Sequence, residues 1–353
     1  MKIVHCFFTM KTGGSQTLAV DLLNELCHHN DVSLIIINNQ YSEYLLNNLN
    51  PKIKVYKIER KEGSRSIWPI LKINHLINKI NPDVVHAHEN KIVNLLKFIK
   101  AKTIYTIHDV DIPTTNFAKY NALVAISNTV SKNVFDRLGV HPQIIYNGIL
   151  FDRFLKRHNY KLNHLETIKL IQISRLVHEK KGQDIIIRAF SHLLKDITLQ
   201  KKYCITLDLV GSGPSQPYLE NLAQTLGVSK FVNFLGEKDR SWIGLNLSNY
   251  HSLIQPSRYE GFGLTVVESI AAGVPVLASN IEGPAEILKD VPAGYLFKAE
   301  DVDDCVRMLK VIIENYKEDK IQSQITAGYN LLFNKYSIKQ TAQNYLKAYE
   351  GIN

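Results

Sequence analysis

The chain has 353 residues, of which 45% are hydrophobic and 21% are charged, a composition typical of a water-soluble globular protein. This length exceeds the size at which one hydrophobic core usually stops growing, so two domains are expected. The four cysteines form no C-x-x-C pair, which argues against a zinc site or a disulfide framework and favours the reducing cytoplasm. No apolar run reaches membrane-spanning length, and the first apolar segment is too short for a signal peptide.

The net charge of +9 lies almost entirely in the first half of the chain. Residues 1–160 contain 20 Lys and Arg against 12 Asp and Glu, whereas residues 161–353 contain 22 against 21. This asymmetry favours an anionic partner for the first half, namely a membrane surface, a lipid-linked diphosphate or nucleic acid. A basic surface that is only solvated is the alternative. Because no basic–aromatic motif is present, nucleic acid is not the expected partner.

Strands and helices alternate through the first half, which predicts an α/β domain with a parallel sheet. The glycine turn Thr12-Gly13-Gly14-Ser15 follows the first strand and can bring backbone amides close to a phosphate. Ligands of such sheets bind at the carboxyl ends of the strands. Six apolar runs have strand length: residues 2–8, 32–37, 54–58, 83–88, 103–107 and 122–126.

Histidines stand at two of these strand ends. His108 follows the fifth strand, where it is either a functional residue or a capping or core histidine. His86 and His88 end the fourth strand. A metal site there would want further ligands, and Glu89 alone is weak support, so no metal is expected.

Two amphipathic, lysine-bearing segments also lie in the first half, at residues 67–77 and 91–102. Either is able to lie on an anionic membrane. The alternative is a helix packed on the sheet with a basic outer face.

The second half begins after a polar segment, residues 151–166, that is predicted to be a linker. A strand at 168–173 leads to Arg175, and two lysines, Lys180 and Lys181, precede Gly182. An arginine at a strand end and a lysine before a helix-opening glycine are two cations that can neutralise a phosphate group. A basic surface loop is the alternative.

Further strands are predicted at 204–210, 231–236, 253–258 and 276–279, forming a second parallel sheet. After the third of them, Glu260 and Glu268 flank the turn Gly261-Phe262-Gly263-Leu264. A helix is predicted over 265–272, ended by Gly273. The turn would present backbone N–H groups at a helix N-terminus, which suits a phosphate. An ordinary buried helix with a solvated glutamate is the alternative.

The stretch from Glu260 to Glu268 resembles the E-x7-E motif of the retaining glycosyltransferases of the GT-B fold, family 4. The resemblance extends over essentially the whole chain and implies two Rossmann-like, doubly wound domains facing across a cleft. Residues 1–160 would form the acceptor-side domain and residues 161–335 the donor domain. Residues 336–353 would form a helix that crosses back to the first domain.

The resemblance also implies roles for single residues. Glu260 would bind donor-sugar hydroxyls, Glu268 the ribose, and His108 the sugar or its developing positive charge. In the family the lysine stands five residues after the arginine and directly before glycine. Here two lysines precede Gly182, so the pair is Arg175–Lys180 or Arg175–Lys181. Lys181 is favoured because the glycine anchors its position, with Lys180 as second choice. The expected catalytic residues are His108, Glu260, Arg175 and Lys181. The expected donor-binding residues are Gly13, Gly14, Lys180, Phe262, Gly263, Leu264, Thr265 and Glu268.

The implied activity is retaining transfer of a hexosyl or N-acetylhexosaminyl group from a nucleotide sugar, with UDP favoured over GDP. No metal and no cofactor are expected, because cations and amides would hold the diphosphate. The implied acceptor is a glycan or lipid-linked glycan of bacterial surface polysaccharide or lipopolysaccharide, at the inner face of the membrane. A sugar-nucleotide epimerase of the same architecture and a basic nucleic-acid-binding protein are the alternatives.

Overall fold

The computed structural model describes residues 1–11, 13–163 and 166–352. The chain divides into two compact units, Met1–Ile149 with Tyr336–Asn353, and Leu150–Lys335. Each unit contains one parallel sheet with helices, of seven and six strands respectively. The predicted α/β class is therefore confirmed.

The first unit is built on a sheet of order β3-β2-β1-β4-β5-β6-β7. These strands consist largely of apolar residues and are buried. The first helix of the unit begins at the glycine turn after β1. Its strands are β1 Lys2–Phe7, β2 Asp31–Asn38, β3 Lys54–Arg60, β4 Val84–Ala87, β5 Lys102–Ile107, β6 Ala122–Ala125 and β7 Gln143–Ile144. Its first helices are α1 Gly14–Leu26, α2 Glu43–Asn47, α3 Trp68–Ile80 and α4 Asn128–Leu138.

The second unit has the sheet order β10-β9-β8-β11-β12-β13. The strands are β8 Thr167–Ile173, β9 Cys204–Val210, β10 Val232–Gly236, β11 Ser252–Gln255, β12 Val276–Ser279 and β13 Gly294–Phe297. The helices are α5 His178–Lys181, α6 Gln183–Leu193, α7 Ile197–Gln200, α8 Gln216–Thr225, α9 Arg240–Asn246, α10 Leu264–Ala271, α11 Glu282–Leu288, α12 Val302–Lys317 and α13 Ile321–Tyr336. The short strands β7 and β13 were not predicted.

The boundary between the units lies at Ile149 and Leu150, not at residue 160 as predicted. The polar segment that follows is bound to the second unit. The N–H of Leu155 donates to Gly244 O, and the N–H of Arg157 donates to Ala272 O, each at 2.9 Å. Its polar composition suggested a linker, but backbone hydrogen bonds hold it in place.

The C-terminal helix, α14 Ile338–Glu350, belongs to the first unit. Ser337 caps its N-terminus by accepting the N–H of Gln340. The N–H of Ile338 donates to Ile149 O at 2.9 Å. Tyr345 and Tyr349 of α14 are buried.

The two amphipathic segments differ in structure. The first contains α3, whose N-terminus exposes 61% of Ile67 and 74% of Trp68. The second is a 3-10 helix, Asn90–Leu95, followed by irregular chain with Phe98 70% exposed. Asn74 of α3 holds this chain by accepting the N–H groups of Lys97 and Phe98 at 2.9 and 3.0 Å. Among the helices in the described ranges, none is both long and apolar enough to cross a bilayer.

Candidate functional site

In the second unit, Lys181 and Glu260 form an ion pair at the carboxyl ends of two neighbouring strands. β8 and β11 are hydrogen-bonded to each other, so the segments that follow them meet at one edge of the sheet. Lys181 Nζ lies 2.6 Å from Glu260 Oε2, and both side chains are 18% exposed. Sheet pairing thus brings together two charges that are 79 positions apart in the sequence.

A buried glutamine orients the carboxylate of this pair. Gln255 is 2% exposed, and its Nε2 donates to Glu260 Oε2 at 3.0 Å. Thr265 Oγ1 donates to Gln255 Oε1 at 3.1 Å. Glu260 Oε2 therefore accepts two hydrogen bonds, while Oε1 has no donor within residues 1–11, 13–163 and 166–352 and remains open to a ligand. The sequence analysis missed Gln255 because it belongs to no recognised motif.

Arg258 fastens the loop after β11 to the α5–α6 segment. Its Nη1 and Nη2 donate to the two carboxylate oxygens of Asp184 at 2.8 and 3.0 Å, and this hydrogen bonding raises the pKa of Arg258. Nη1 also donates to His178 O at 2.7 Å. The N–H groups of Arg258 and Tyr259 donate to Lys180 O at 2.9 and 3.2 Å. This bidentate pair, also missed from the sequence, is a structural support for the Lys181–Glu260 site.

Two glycines let the backbone segments of the site touch. Gly182 has φ +66° between α5 and α6, and a Cβ there would lie 1.8 Å from Pro256 O. A Cβ on Gly283, in α11, would lie 2.3 Å from Glu260 O. Any side chain at either position would push the Glu260 loop away from its neighbours.

Helix α10 begins beside this pair, one residue earlier than predicted. Gly263 is its N-cap with φ +104°, and Phe262 buries its ring just before it. The N–H groups of Gly263, Leu264 and Thr265 have no acceptor in the part of the chain that the structure describes. Open amides at a helix N-terminus favour an anion. Glu268 lies half-buried one turn further on.

The other predicted cations lie nearby in sequence but are not part of the ion pair. Lys180 is exposed, and it is Lys181 that contacts Glu260. Arg175 is exposed at the end of β8, and its carbonyl accepts Gln183 Nε2 at 2.9 Å. Which cation meets a diphosphate stays a prediction.

In the first unit, Gly13 and Gly14 stand at the start of α1. Gly13 O accepts the N–H of Thr17 at 2.9 Å, which closes the first helical turn. A Cβ on Gly14 would meet nothing within 4 Å among the residues that the structure describes. Thr12 of the same turn lies outside the described residues.

His108 is joined to a buried histidine cluster in the first unit. His5 and His86 are register partners on β1 and β4, and side chains alternate along a strand, so His88 shares their face. His88 Nδ1 lies 3.1 Å from His108 Nε2, and His88 Nε2 lies 3.0 Å from His5 Nδ1. Burial lowers the pKa of His5 to about 3 and that of His108 to about 4. Burial also holds the pKa values of His86 and His88 well below the ordinary range, so all four rings are neutral.

Two family models together match most of the sequence. Residues 12–153 match Glycosyltransferase Family 4, and residues 156–329 match Glycosyl transferases group 1. The chain belongs to the family 4 glycosyltransferases of the GT-B fold.

Relatives and solved structures of this glycosyltransferase agree with that assignment. It is 24% identical to the lipopolysaccharide core biosynthesis glycosyltransferase LpsE of Rhizobium meliloti, over 98% of each chain. It is 30% identical to protein CapJ of Staphylococcus aureus over 53% of this chain and 46% of CapJ, about half the length of that protein. HepE of Anabaena, solved in complex with UDP and glucose, superposes with a TM-score of 0.79 at 19% identity, covering 99% of this chain and 100% of HepE. The predicted GT-B fold is confirmed.

In the described part of this glycosyltransferase, three residues of the same cluster lie close enough together to be tested as metal ligands. Ring nitrogens of His5, His86 and His88 all lie within 4.8 Å of one another. Neutral imidazoles are suitable ligands. These nitrogens already take part in hydrogen bonds with one another and with hydroxyl groups, however, and no carboxylate joins the group to balance a divalent charge.

We expect the buried histidines to make the first unit acid-sensitive. Their ordinary pKa is 6.5, and in the folded state it is lowered to about 3 for His5 and about 4 for His108. The unfolded chain therefore binds more protons below pH 6.5, and stability is lost as the pH falls from about 6.5 towards 4, by up to about 1.4 kcal/mol per pH unit for each histidine. Burial raises the pKa of Glu89 from 4.5 to about 8, which opposes this trend with one proton against four.

The free energy of unfolding, measured between pH 7.5 and 5, checks this expectation. The variant His5→Gln should show a smaller slope than the wild type. The matched control is His75→Gln, because His75 is exposed and lies outside the buried cluster. This variant should keep the wild-type slope. Equal slopes for the wild type and His5→Gln would contradict the expectation.

Proposed function

We propose that this protein transfers a hexosyl or N-acetylhexosaminyl group, with retention, from a nucleoside-diphosphate sugar to a glycan or lipid-linked acceptor. The observation that carries the proposal is the Lys181–Glu260 pair beside the open N-terminus of α10, which combines a cation, a carboxylate and amide donors. The related HepE was solved with UDP and glucose, which favours UDP over GDP in the donor. The relative LpsE is named for lipopolysaccharide core biosynthesis, which favours bacterial lipopolysaccharide or surface polysaccharide as the pathway.

The chemical task of the second unit is to hold negative charge on the departing diphosphate. Arg175 and Lys181 would supply cations, and the N–H groups of Gly263, Leu264 and Thr265 would supply oriented dipoles. Such donors act best where water is excluded and their positions are set in advance. They would take the place of a divalent metal.

Glu260 suits the role of a hydrogen-bond acceptor for sugar hydroxyls. Its Oε2 is already bound by Lys181 and Gln255, so the carboxylate is held in one orientation with Oε1 open. A carboxylate stabilised in this way is a weak nucleophile, which disfavours a covalent double displacement. Retention would instead come from the leaving diphosphate assisting the acceptor hydroxyl on the same face. Glu268 would bind the ribose, and His108 the donor sugar.

The first unit would bring the enzyme to its acceptor at the inner face of the cell membrane. Ile67, Trp68 and Phe98 are exposed apolar side chains in the half of the chain that carries the positive charge. Lys72 and Lys97 are exposed in the same two segments. Aromatic side chains with nearby lysines are the combination that binds an anionic lipid surface.

Calorimetric binding of UDP, GDP, ADP, CMP, NAD and a short DNA duplex, without added metal, tests the donor class. We expect UDP to bind, and Arg175→Ala to weaken it about 10–100-fold, because a hydrogen bond to a charged group is lost. Arg188, exposed on α6, gives the matched control Arg188→Ala, which should bind normally. If none of the nucleotides binds while the DNA duplex does, the proposal is overturned.

Replacing the two neighbouring lysines one at a time distinguishes a specific role of the Lys181 charge from a general effect of positive charge. We expect Lys181→Ala to lower kcat by about 10²–10³, as loss of one preorganised charge-stabilising donor does. Lys180→Ala removes the same charge one position away and should leave kcat nearly unchanged. Steady-state kinetics with the donor identified by calorimetry measures kcat for both variants. Similar kcat values for Lys181→Ala and the wild type would refute a charge-stabilising role for Lys181.

Sedimentation with vesicles containing anionic phospholipid tests the membrane contact. Ile67→Ser should weaken binding by about tenfold or more, because a side chain that would enter the lipid interface is lost. Ile197 of the second unit is similarly exposed, 66% against 61% for Ile67, so Ile197→Ser is the control and should bind like the wild type. Equal sedimentation of these two variants, or binding insensitive to salt, would count against the contact.

A further inference from the structure

The histidine cluster of the first unit is part of a longer hydrogen-bond chain that starts on α14. Tyr345 OH lies 2.9 Å from Thr106 Oγ1, and Thr106 Oγ1 lies 2.7 Å from His86 Nε2. The other nitrogen of the same ring, His86 Nδ1, lies 2.8 Å from Tyr349 OH. This inner part of the chain is buried and connects α14 to strands β4 and β5.

The outer part of the chain runs from Tyr349 to the predicted site residue His108. Tyr349 OH lies 3.4 Å from His5 Nε2, and His5 Nδ1 lies 3.0 Å from His88 Nε2. His88 Nδ1 then lies 3.1 Å from His108 Nε2. His108 is the last member of the hydrogen-bond chain, and its Nδ1 has no hydrogen-bond partner among the residues that the structure describes.

Each member of this chain has one hydrogen to donate. A hydroxyl carries one O–H, and a neutral imidazole carries one N–H and one acceptor nitrogen. Burial keeps the four imidazoles neutral. Six links join seven groups, so one member has a hydrogen that no link uses. A neutral imidazole between two neighbours cannot accept at both nitrogens, whereas a hydroxyl can accept twice. The unused hydrogen therefore lies on His108 or on one of the three hydroxyls, those of Tyr345, Thr106 and Tyr349.

The three hydroxyls decide among these arrangements. Tyr345, Thr106 and Tyr349 are buried, and among the residues that the structure describes their hydroxyls contact only members of this hydrogen-bond chain. An unused hydrogen on any of the three would be a buried O–H without an acceptor, which is costly. Donation towards His108 uses every buried hydrogen and leaves the last one on His108 Nδ1.

We propose that this chain holds His5, His86, His88 and His108 as Nδ1–H tautomers, so that His108 offers its ligand a hydrogen-bond donor. His88 and Tyr349 are then positioning residues that act through His108. The ligand group that matches is an oxygen acceptor, such as a hydroxyl of the donor sugar; this ligand identity rests on the proposed function. His108 Nδ1 cannot accept a proton as a general base unless at least the three hydrogen bonds between Tyr349 and His108 reverse.

Nitrogen-15 NMR of histidine-labelled protein at pH 7.5, without substrate, tests the tautomers directly. The Nδ1 and Nε2 shifts distinguish the two neutral forms, and loss of one signal set in His108→Gln assigns His108. The rings of His5, His86, His88 and His108 should all be Nδ1–H, the form that free histidine populates less. An Nε2–H form or an imidazolium at any of these four rings, or stoichiometric metal bound to their nitrogens in the purified protein, would overturn the proposal.

Three variants test the coupling between the members. In His88→Leu, His108 loses the donor to its Nε2 and should become a mixture of tautomers. In Tyr349→Phe, a milder change that keeps the ring, His86 Nδ1–H loses its acceptor, so His86 should become a mixture. Tyr120 has a buried hydroxyl outside the chain, and Tyr120→Phe is the control that should leave all four tautomers unchanged. Unchanged His86 in folded Tyr349→Phe would refute the coupling.

Ligand binding separates this inference from the proposed function. His88→Leu should weaken UDP-sugar binding about 3–10-fold, the worth of one hydrogen bond, while UDP alone binds normally. If the four tautomers are Nδ1–H but no nucleotide sugar binds the wild type, the chain is supported and the proposed function fails. If nucleotide sugar binds while the rings are Nε2–H, the proposed function stands and the inference fails.

Discussion

Parallel pairing of neighbouring strands is the constraint on which both clusters of polar residues depend. In the second unit, β8 and β11 pair and bring Lys181 to Glu260. In the first, β4 pairs with β1 on one side and β5 on the other, which brings the histidines of β1 and β4 close to His108, the residue that follows β5. Because parallel strands end at the same edge, residues far apart along the chain meet there without any local signal.

The two clusters solve the cost of burying polar groups in different ways. The Lys181–Glu260 pair is partly exposed, and Gln255 adds a hydrogen bond to the carboxylate. The histidines are deeper, and desolvation makes them neutral. A neutral ring can satisfy both of its nitrogens only if its neighbours supply one donor and one acceptor, and this requirement links the rings into an ordered chain.

Helix α14 contributes two tyrosines to the histidine cluster, although it lies far from the cluster in sequence. Its two tyrosines hydrogen-bond to residues of β4 and β5 that precede them by 239 and 263 positions. The polar segment after Ile149 shows the reverse case, since it looks like a linker but is hydrogen-bonded into the second unit. In both cases the deciding contacts join distant parts of the chain, so local composition carries no trace of them.

The sequence by itself determined the fold class, most strand positions, and the glycine-punctuated turn between Glu260 and Glu268. These follow from hydrophobic periodicity and from glycine, which act within a few residues of the chain. It also singled out His108, Lys181 and Glu260 as candidates. Only the tertiary structure showed that Lys181 rather than Lys180 contacts Glu260. It also showed that Gln255, Arg258 and the α14 tyrosines hydrogen-bond to the residues or loops that carry the candidates. The physical reason is that hydrogen bonds and ion pairs depend on distances of about 3 Å, and such distances between remote residues are set by sheet pairing and packing.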